Sequence, residues 1–221
     1  MSAVYDWRPL ARVDFERVAP EVVAAASALS SATLHEAGSK VGALPSAIKP
    51  VDPEMRVCGP AFTVHSPPGD NLWLHRALEL AKPGDVLVVH VSGAREHGYW
   101  GEIMATAARV RGLAGLVIDG GVRDARLLAR MGFPVFSDGV CIRGTGKDLG
   151  APGWLGHPLQ MGEIAVQPGD LVFGDADGVV VLPRGRAAGI VERGRVREAE
   201  EARIVERLEA GETTMQVYGF R

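Results

Sequence analysis

The chain has 221 residues, and its 47% apolar content and 28 glycines predict a turn-rich α/β protein with a sizeable core rather than a disordered chain. Its net charge of −3 gives no reason to expect nucleic acid or an anionic membrane as a partner. The two cysteines make no disulfide framework, no apolar run reaches the ~18 residues of a membrane span, and the N-terminus lacks the apolar core of a signal peptide. We therefore expect a soluble, cytoplasmic protein that forms a single domain over residues 1–221.

The first predicted elements are N-terminal helices within residues 14–38. Pro20 is suited to begin one helix, Ser30 or Ser31 to cap a second, and Gly38 to end it. The segment consists mostly of alanine, valine and leucine, so its helices have little polar surface. Such helices need burial against more than one surface, which a second subunit can supply.

The middle of the chain predicts alternating strands and helices. In order, the predicted elements are a strand over 56–65, a helix over 71–81 capped by Asp70, a strand over 86–91, a helix over 101–111, a strand over 115–118, a helix over 124–131 and a strand over 134–136. Helices between short buried strands indicate a βαβαβ arrangement.

The last third of the chain predicts β-hairpins followed by a helix. Loop-like stretches over 144–158 precede predicted strands over 162–166, 170–173 and 178–182, the last two joined by the DADG turn. A long charged helix is predicted over 184–210, ended by Gly211, and residues 213–221 are expected to form only a docking tail. The whole pattern predicts a mixed α/β domain.

The candidate site lies at two loop–helix junctions on the same side of a predicted helix–strand hairpin. Glu102 begins one helix after the glycine-rich loop 98–101, and Arg123 and Asp124 begin the next helix after a pair of glycines. An arginine adds positive charge where the helix dipole is already positive, so this position favours an anion site. The free N–H groups of the loop suit a carboxylate. Acids beside such a site indicate Mg²⁺ or Mn²⁺, which prefer oxygen ligands, rather than zinc.

Ordinary structural roles for the same residues remain open at this point. Asp124 is also a typical helix N-cap, and Glu102 is typical of a first helical turn. His97, just before the loop, is a further candidate for proton transfer. Nucleotide sites are not expected, because residues 144–147 lack the phosphate-loop spacing and no GxGxxG follows a strand.

Several stretches of the chain resemble one enzyme family. The spacing of Glu102, twenty residues, then Arg123 and Asp124 resembles the acid-x20-Arg-Asp signature of the metal-dependent 4-hydroxy-4-methyl-2-oxoglutarate / 4-carboxy-4-hydroxy-2-oxoadipate aldolases. These are class II pyruvate aldolases of the superfamily named for the regulator of ribonuclease activity A. The resembling stretches are ATLHEA (32–37), PGDNL (68–72), EHGYWGE (96–102), GLVIDGGVRD (115–124), FPVFS (133–137) and PGDLVFGDADGVVVLP (168–183).

The resemblance implies a three-layer β/β/α swivelling fold with N- and C-terminal helical extensions. It also implies homotrimers or homohexamers with active sites between subunits. By this likeness Asp124 ligates Mg²⁺ or Mn²⁺, Glu102 binds the water shell of the metal, and Arg123 holds the keto or enolate oxygen of the substrate. The amides expected to hold the substrate carboxylate are those of Gly101, Glu102, Ile103 and Met104. The family also borrows a glutamate from the C-terminal helix of a neighbour, for which Glu201 is favoured and Glu198 and Glu200 are the alternatives.

The expected function is metal-dependent cleavage of 4-hydroxy-4-methyl-2-oxoglutarate or 4-carboxy-4-hydroxy-2-oxoadipate to pyruvate and a second 2-oxo acid. Oxaloacetate decarboxylation is expected as a side activity, since it passes through the same enolate. Schiff-base chemistry is disfavoured because lysines are scarce, Lys147 being the one candidate. The alternatives are a non-catalytic regulator that binds a ribonuclease and another 2-oxo-acid lyase on the same scaffold. The N-terminal helices and the acidic C-terminal helix favour the aldolase.

Overall fold

The centre of the molecule is a strongly curved β-sheet flanked by helices, in a computed structural model that describes residues 6–220. The strands are β1 (Lys49–Pro50), β2 (Val57–His65), β3 (Val86–His90), β4 (Gly115–Ile118), β5 (Val135–Ser137), β6 (Trp154–Leu155), β7 (Leu159–Met161), β8 (Ile164–Val166), β9 (Leu171–Asp175) and β10 (Gly178–Leu182). The helices are α1 (Pro20–Ala26), α2 (Ser31–Ala37), α3 (Leu72–Leu80), α4 (Glu102–Val110), α5 (Ala125–Met131), α6 (Arg184–Glu209) and α7 (Thr214–Tyr218). A short 3-10 turn, Arg8–Leu10, precedes them.

The strand order in the sheet is β1-β5-β4-β3-β2-β9-β10. Strands β2 to β5 are parallel and are joined by α3, α4 and α5, whereas β9 and β10 form an antiparallel hairpin against β2. The segment before β1 pairs with β10, since the Leu44 N–H donates to the Val179 carbonyl (2.9 Å) and the Val181 N–H to the Gly42 carbonyl (2.8 Å). Because β1 itself pairs with β5, the stretch 42–50 contacts both outer strands and nearly closes the sheet.

Three apolar clusters hold these layers together. One lies between the parallel strands and α3, α4 and α5, and includes Trp73, Trp100 and Leu116. A second fills the concave inside of the sheet, where the β7–β8 hairpin packs against the main strands. The third lies between the β9–β10 hairpin and α1, α2 and α6. The predicted mixed α/β, β/β/α fold is therefore confirmed.

The structure corrects several sequence-based boundaries. Residues 14–19 are not helical, because α1 begins only at Pro20. The Arg17 side chain, three residues earlier, forms an ion pair with the buried Asp85 carboxylate. The sequence predicts no strand at the positions of β1, β6 and β7, because two or three residues are too few to show a period. The expected tail forms α7, which has a Thr213–Gln216 capping box.

Helix ends follow the predicted chemistry with two differences, at Gly38 and Asp70. The Ser30 hydroxyl accepts a hydrogen bond from the Thr33 N–H (3.0 Å) and caps α2, as predicted. Gly38 follows α2 but has φ −81°, and the left-handed residues are Ser39 and Lys40 instead. Asp70 accepts the Leu72 N–H (2.8 Å) from one position before the N-cap of α3, which is Asn71. Within the described residues no helix is both long and apolar enough to cross a membrane.

Candidate active site

Three loops that leave the carboxyl ends of adjacent parallel strands lie side by side. They follow β3, β4 and β5, the edge at which open α/β sheets usually bind ligands. The Tyr99 N–H donates to the Gly121 carbonyl (3.0 Å), the Arg123 N–H to the Trp100 carbonyl (2.8 Å) and the Cys141 N–H to the Val122 carbonyl (2.8 Å). These backbone bonds fix the two predicted junctions against each other.

Two glycines allow the first two loops to approach closely. A Cβ atom on Gly98 would lie 2.5 Å from the Cys141 carbonyl oxygen and 3.1 Å from the Arg123 Cβ. A Cβ atom on Gly101 would lie 2.4 Å from Asp124 Oδ2. The glycines at these positions therefore make room for the side chains of the second loop and for the Cys141 backbone of the third.

The Asp124 side chain turns away from its own helix. Asp124 is a non-glycine residue in the left-handed region, with φ 59°, and its carboxylate makes no capping hydrogen bond to α5. Its Oδ2 atom accepts the N–H of Glu102 (3.1 Å), at the start of α4. The interpretation of Asp124 as an ordinary N-cap is therefore wrong, and its backbone strain is of the kind that clusters at functional sites.

The Asp124 contact also changes which amides remain free at the start of α4. The first hydrogen bond inside that helix runs from the Ala105 N–H to the Gly101 carbonyl (3.0 Å). Since Asp124 occupies the Glu102 N–H, the expected carboxylate site narrows to the remaining amides of the turn, chiefly those of Ile103 and Met104.

Arg123 and Asp124 are close to each other and open to solvent. The Arg123 Nε lies 3.9 Å from Asp124 Oδ2, and their side chains are 49% and 38% exposed. At that separation and exposure the pair contributes little to stability. Both groups keep hydrogen-bonding capacity for a ligand.

The two side chains open onto a cavity of about 200 Å³. Its lining residues are Asn71, His75, Gly98, Tyr99, Trp100, Gly101, Ile103, Met104, Arg123, Asp124, Gly144, Thr145 and Lys147. Glu102 is exposed beside the cavity and does not line it. His97 lies behind the site, with its ring near Gly69 and Tyr99, and is not a lining residue.

One wall of the cavity comes from residues that sequence reasoning missed. Asp70 Oδ2 accepts the Asp148 N–H (2.6 Å), and the Gly146 N–H donates to the Gly69 carbonyl (2.7 Å), so the loop 144–148 is held against the start of α3. This brings Lys147 beside His75, where burial and then the nearby ammonium lower the pKa of the histidine. The only signals in the sequence were the PGDNL stretch and Lys147, considered from the sequence only as a candidate for Schiff-base chemistry.

Asn71 also faces this wall. Its Nδ2 donates to the Tyr99 carbonyl (2.9 Å), so the residue joins α3 to the glycine-rich loop. Its Oδ1 atom is buried and, among the described residues, has no hydrogen-bond partner. A buried amide oxygen of this kind is an acceptor that a bound donor or water would satisfy.

The acids of α6 lie outside this cavity. Glu201 is half-exposed and forms an ion pair with Arg197 one turn earlier (2.8 Å), and neither Glu198 nor Glu200 lines the cavity. Within residues 6–220 no three His, Cys, Asp or Glu side chains gather as a metal cage. Among the described residues, Asp124 is therefore the one carboxylate that lines the cavity.

Comparison with known proteins gives a consistent match. A family model described as RraA-like, Aldolase/RraA, matches residues 20–181. A Halalkalibacterium halodurans protein named "Putative 4-hydroxy-4-methyl-2-oxoglutarate aldolase" is 36% identical over 158 residues, covering 72% of this chain and 74% of that protein.

Two solved structures share the fold. Streptomyces coelicolor RraAS2, described as an unusual member of the RNase ES inhibitor RraA protein family, is 32% identical with a TM-score of 0.76, covering 86% of this chain and 100% of the other. An uncharacterized protein from Pseudomonas syringae pv. tomato is 31% identical with a TM-score of 0.79, covering 92% of this chain and 100% of the other.

Proposed function

This chain belongs to the RraA-like family, Aldolase/RraA, and we propose that it is a divalent-metal-dependent class II aldolase that cleaves a 4-hydroxy-2-oxo acid. The observation that carries the proposal is the convergence of Arg123, the Asp124 carboxylate and the start of α4 on one cavity. The proposed substrates are 4-hydroxy-4-methyl-2-oxoglutarate or 4-carboxy-4-hydroxy-2-oxoadipate, with oxaloacetate decarboxylation as a side activity. The name of the Halalkalibacterium relative supports the aldolase class.

The donors in the cavity suit Mg²⁺ or Mn²⁺. Asp124 offers a half-exposed carboxylate that spends one hydrogen bond on the Glu102 amide. Magnesium is commonly held by one or two carboxylates, with water and substrate oxygens completing its coordination, so a single chain needs no closed cage. Asp124 would hold the cation, and Glu102 would bind its waters. When bound, the cation would act as a Lewis acid toward the keto and carboxylate oxygens of the substrate.

The chain's own groups suit the electron flow of a retro-aldol cleavage. The C4 hydroxyl of the substrate loses its proton, the C3–C4 bond breaks, and its electron pair moves onto the keto oxygen to form an enolate. Arg123 would hydrogen-bond that oxygen more strongly as negative charge develops there. The free amides at the start of α4 would hold the carboxylate, and protonation of the enolate at C3 then gives pyruvate.

The cavity wall formed by the loop 144–148 suits the far end of the substrate. Both proposed substrates carry a further carboxylate, and Lys147 lies beside His75 on the cavity surface. An ammonium group there attracts a carboxylate without taking part in bond cleavage. Lys147 would thus select for dicarboxylic or tricarboxylic 2-oxo acids.

We propose further that the site is completed in a homotrimer or homohexamer. Glu201 would reach the cavity of a neighbouring copy and take up the proton of the C4 hydroxyl, with Glu198 and Glu200 as alternatives. Support comes from the position of these acids on the exposed part of α6, away from their own cavity.

A non-catalytic regulator is the second candidate, and one observation favours it besides the RraAS2 relative. Apolar side chains near the cavity are strongly exposed: Ile103 is 79% exposed, Val140 63% and Ile142 91%. Such a group of side chains suits a protein surface as partner, either another copy or a ribonuclease.

Pyruvate release separates these candidates. It would be measured from oxaloacetate and from 4-hydroxy-4-methyl-2-oxoglutarate, with Mg²⁺ and then with EDTA, and corrected for decarboxylation by the metal alone. EDTA-sensitive release from both substrates is expected. Release from oxaloacetate alone would indicate a decarboxylase or another 2-oxo-acid lyase, and release from neither would favour the regulator.

A further inference from the structure

A row of polar side chains crosses the carboxyl ends of the four parallel strands, outside the cavity. His65 and His90 are direct partners at the ends of β2 and β3. Continuing the register of β3, β4 and β5 by one position places Asp119 beside His90 and Asp138 beside Asp119. We refer to His65, His90, Asp119 and Asp138 as the strand-end row.

The strand-end row closes the mouth of the concave core. Val88, Val117 and Phe136 lie two residues before His90, Asp119 and Asp138 and belong to the apolar cluster inside the sheet. Because side chains alternate along a strand, the row shares their face. It is thus on the opposite face of the sheet from α4 and α5, whose first turns border the cavity.

Each member of the row has a partner. His90 Nδ1 bonds to Asp119 Oδ2 (2.5 Å), and Arg95 lies 3.0 Å from Asp138 Oδ2. His65 stacks on the Trp154 ring at 3.6 Å and bonds through Nε2 to the Ser92 hydroxyl (2.8 Å). Of the row's buried side-chain nitrogen and oxygen atoms, only His65 Nδ1 lacks a hydrogen-bond partner among the described residues.

Asp119 links two strand ends at once. Besides His90, its carboxylate accepts the Val91 N–H at Oδ1 (2.8 Å), and the residue is 8% exposed. The hydrogen bond that His90 makes to the Asp119 carboxylate is the main cause that raises the pKa of His90, which favours the charged form of the pair. Burial, by contrast, lowers the pKa of His65 to about 4, so that ring stays neutral.

The two strand ends joined by Asp119 are the origins of the loops that form the site. The loop after His90 leads to Gly98 and Gly101, and the loop after Asp119 leads to Arg123 and Asp124. A shift between these loops would change the distance from Asp124 to the Glu102 amide, now 3.1 Å. Displacements of about 1 Å at a catalytic group can cost on the order of 100-fold in rate.

We propose that His90 and Asp119 are positioning residues, which hold the two active-site loops in register without contacting substrate. The proposal rests on the proposed aldolase function for its kinetic consequences, but the ordering of the loops can be measured without catalysis. Ser92, which follows His90 by two residues in the loop after β3, has a left-handed backbone with φ 53°, and its hydroxyl bonds to His65.

The test compares two His90 variants in the full-length protein. His90→Leu removes the Nδ1 donor, and we expect kcat to fall about 10- to 100-fold with a much smaller change in KM. His90→Asn keeps a donor near the Nδ1 position and should retain kcat within about threefold of wild type. His35→Leu and His35→Asn are matched controls on α2. His35 is half-buried, and the hydrogen bond of its ring among the described residues is with the Val41 carbonyl. Both control variants should leave kcat unchanged.

Amide hydrogen exchange gives the second readout. In His90→Leu the amides of Tyr99, Arg123 and Cys141 should exchange faster, whereas those of β9, β10 and α6 should not change. If His90→Leu does not fold, Asp119→Asn, which keeps an acceptor for the Val91 N–H, should show the same local loosening.

The proposal is overturned if the exchange of these three amides is unaltered, or if His90→Asn is as impaired as His90→Leu. Should the wild type release no pyruvate, the aldolase function fails, and the exchange experiment alone still decides the positioning role. Faster exchange throughout the molecule would reduce the pair to a general stabilising contact and would also overturn it.

Discussion

Two arginine–aspartate pairs in this molecule are built from the same groups and do different work. In the first, both Asp85 oxygens accept from the Arg17 guanidinium (2.7 and 2.9 Å), and the side chains are 0% and 19% exposed. In the second, Arg123 and Asp124 lie 3.9 Å apart and are 49% and 38% exposed. The groups of the first pair are bound to each other and to nearby backbone, whereas those of the second keep most of their hydrogen-bonding capacity free.

The turn that contains Asp85 of the first pair has a counterpart at Asp170. Asp85 Oδ2 accepts the Lys82 N–H (2.8 Å), and Asp170 Oδ2 accepts the Gln167 N–H (3.0 Å), each after a proline and a left-handed glycine. The Asp85 turn leads into β3 from the end of that strand opposite the site, and the Asp170 turn leads into β9 beside the middle of β2. An acid held by its own turn and a partner specifies structure, whereas an acid held by one amide of another helix remains available to a ligand.

Removing the Arg123 guanidinium from the exposed Arg123–Asp124 pair should give the largest effect on function. For Arg123→Ala we expect kcat for pyruvate release to fall by ~10²- to 10³-fold, as when one donor to a developing oxyanion is lost. The melting temperature should stay within about 2 °C of wild type, because an exposed pair contributes little to stability. Steady-state kinetics and thermal unfolding measure both; normal turnover in this variant would disprove the assigned role.

Breaking the buried Arg17–Asp85 pair should lower stability and leave catalysis unchanged. Asp85→Asn leaves the mostly buried Arg17 without its counter-charge, and we expect the free energy of unfolding to fall by about 3 kcal/mol. At temperatures where the variant is folded, kcat should match wild type. Urea unfolding is the measurement, with Glu36→Gln in the exposed Lys40–Glu36 pair (3.8 Å) as the control, for which a loss below about 0.5 kcal/mol is expected. Equal losses in the two variants would contradict the comparison.

A methyl group on Gly101 should displace the Asp124 carboxylate while leaving both charges of the Arg123–Asp124 pair in place. The added Cβ would lie 2.4 Å from Asp124 Oδ2, so the carboxylate must leave the Glu102 amide. We expect Gly101→Ala to lower kcat by about 100-fold. Gly185→Ala is the matched control on α6 and should be active, because beyond its own helical turn no described atom lies within 4 Å of the new Cβ. Full activity of Gly101→Ala would show that the Asp124–Glu102 contact is dispensable.

The smallest effect is expected at Lys147, in the cavity wall formed by the loop 144–148. Lys147→Ala should raise KM for a dicarboxylic 2-oxo acid by about tenfold and leave kcat nearly unchanged, because the ammonium would contribute equally to ground-state and transition-state binding. Addition of salt should raise KM in the wild type more than in the variant. A fall in kcat equal to that of Arg123→Ala would place Lys147 in the bond-breaking step instead.

The parts of the molecule that the sequence revealed are those set by neighbouring residues. The parallel strands, their crossover helices and the junctions at Glu102 and Arg123 follow from local pattern and glycine position. The cavity wall at Lys147 was missed because it depends on Asp70 accepting an N–H from Asp148, 78 positions later in the chain. The orientation of the Asp124 carboxylate was missed for the same reason, since a cap on its own helix and a bond to another helix share one local sequence.

The stretch 42–50 has a consequence for how copies of this chain can associate. Strands β5 and β10 would otherwise expose unpaired N–H and C=O groups, and open edges of that kind recruit other strands and lead to aggregation. Here a single segment of the same chain satisfies both. Association through a continuous intermolecular sheet is therefore blocked at these two edges. At these two edges, association would instead depend on side chains, which can be specific about partner and geometry in a way that backbone pairing cannot.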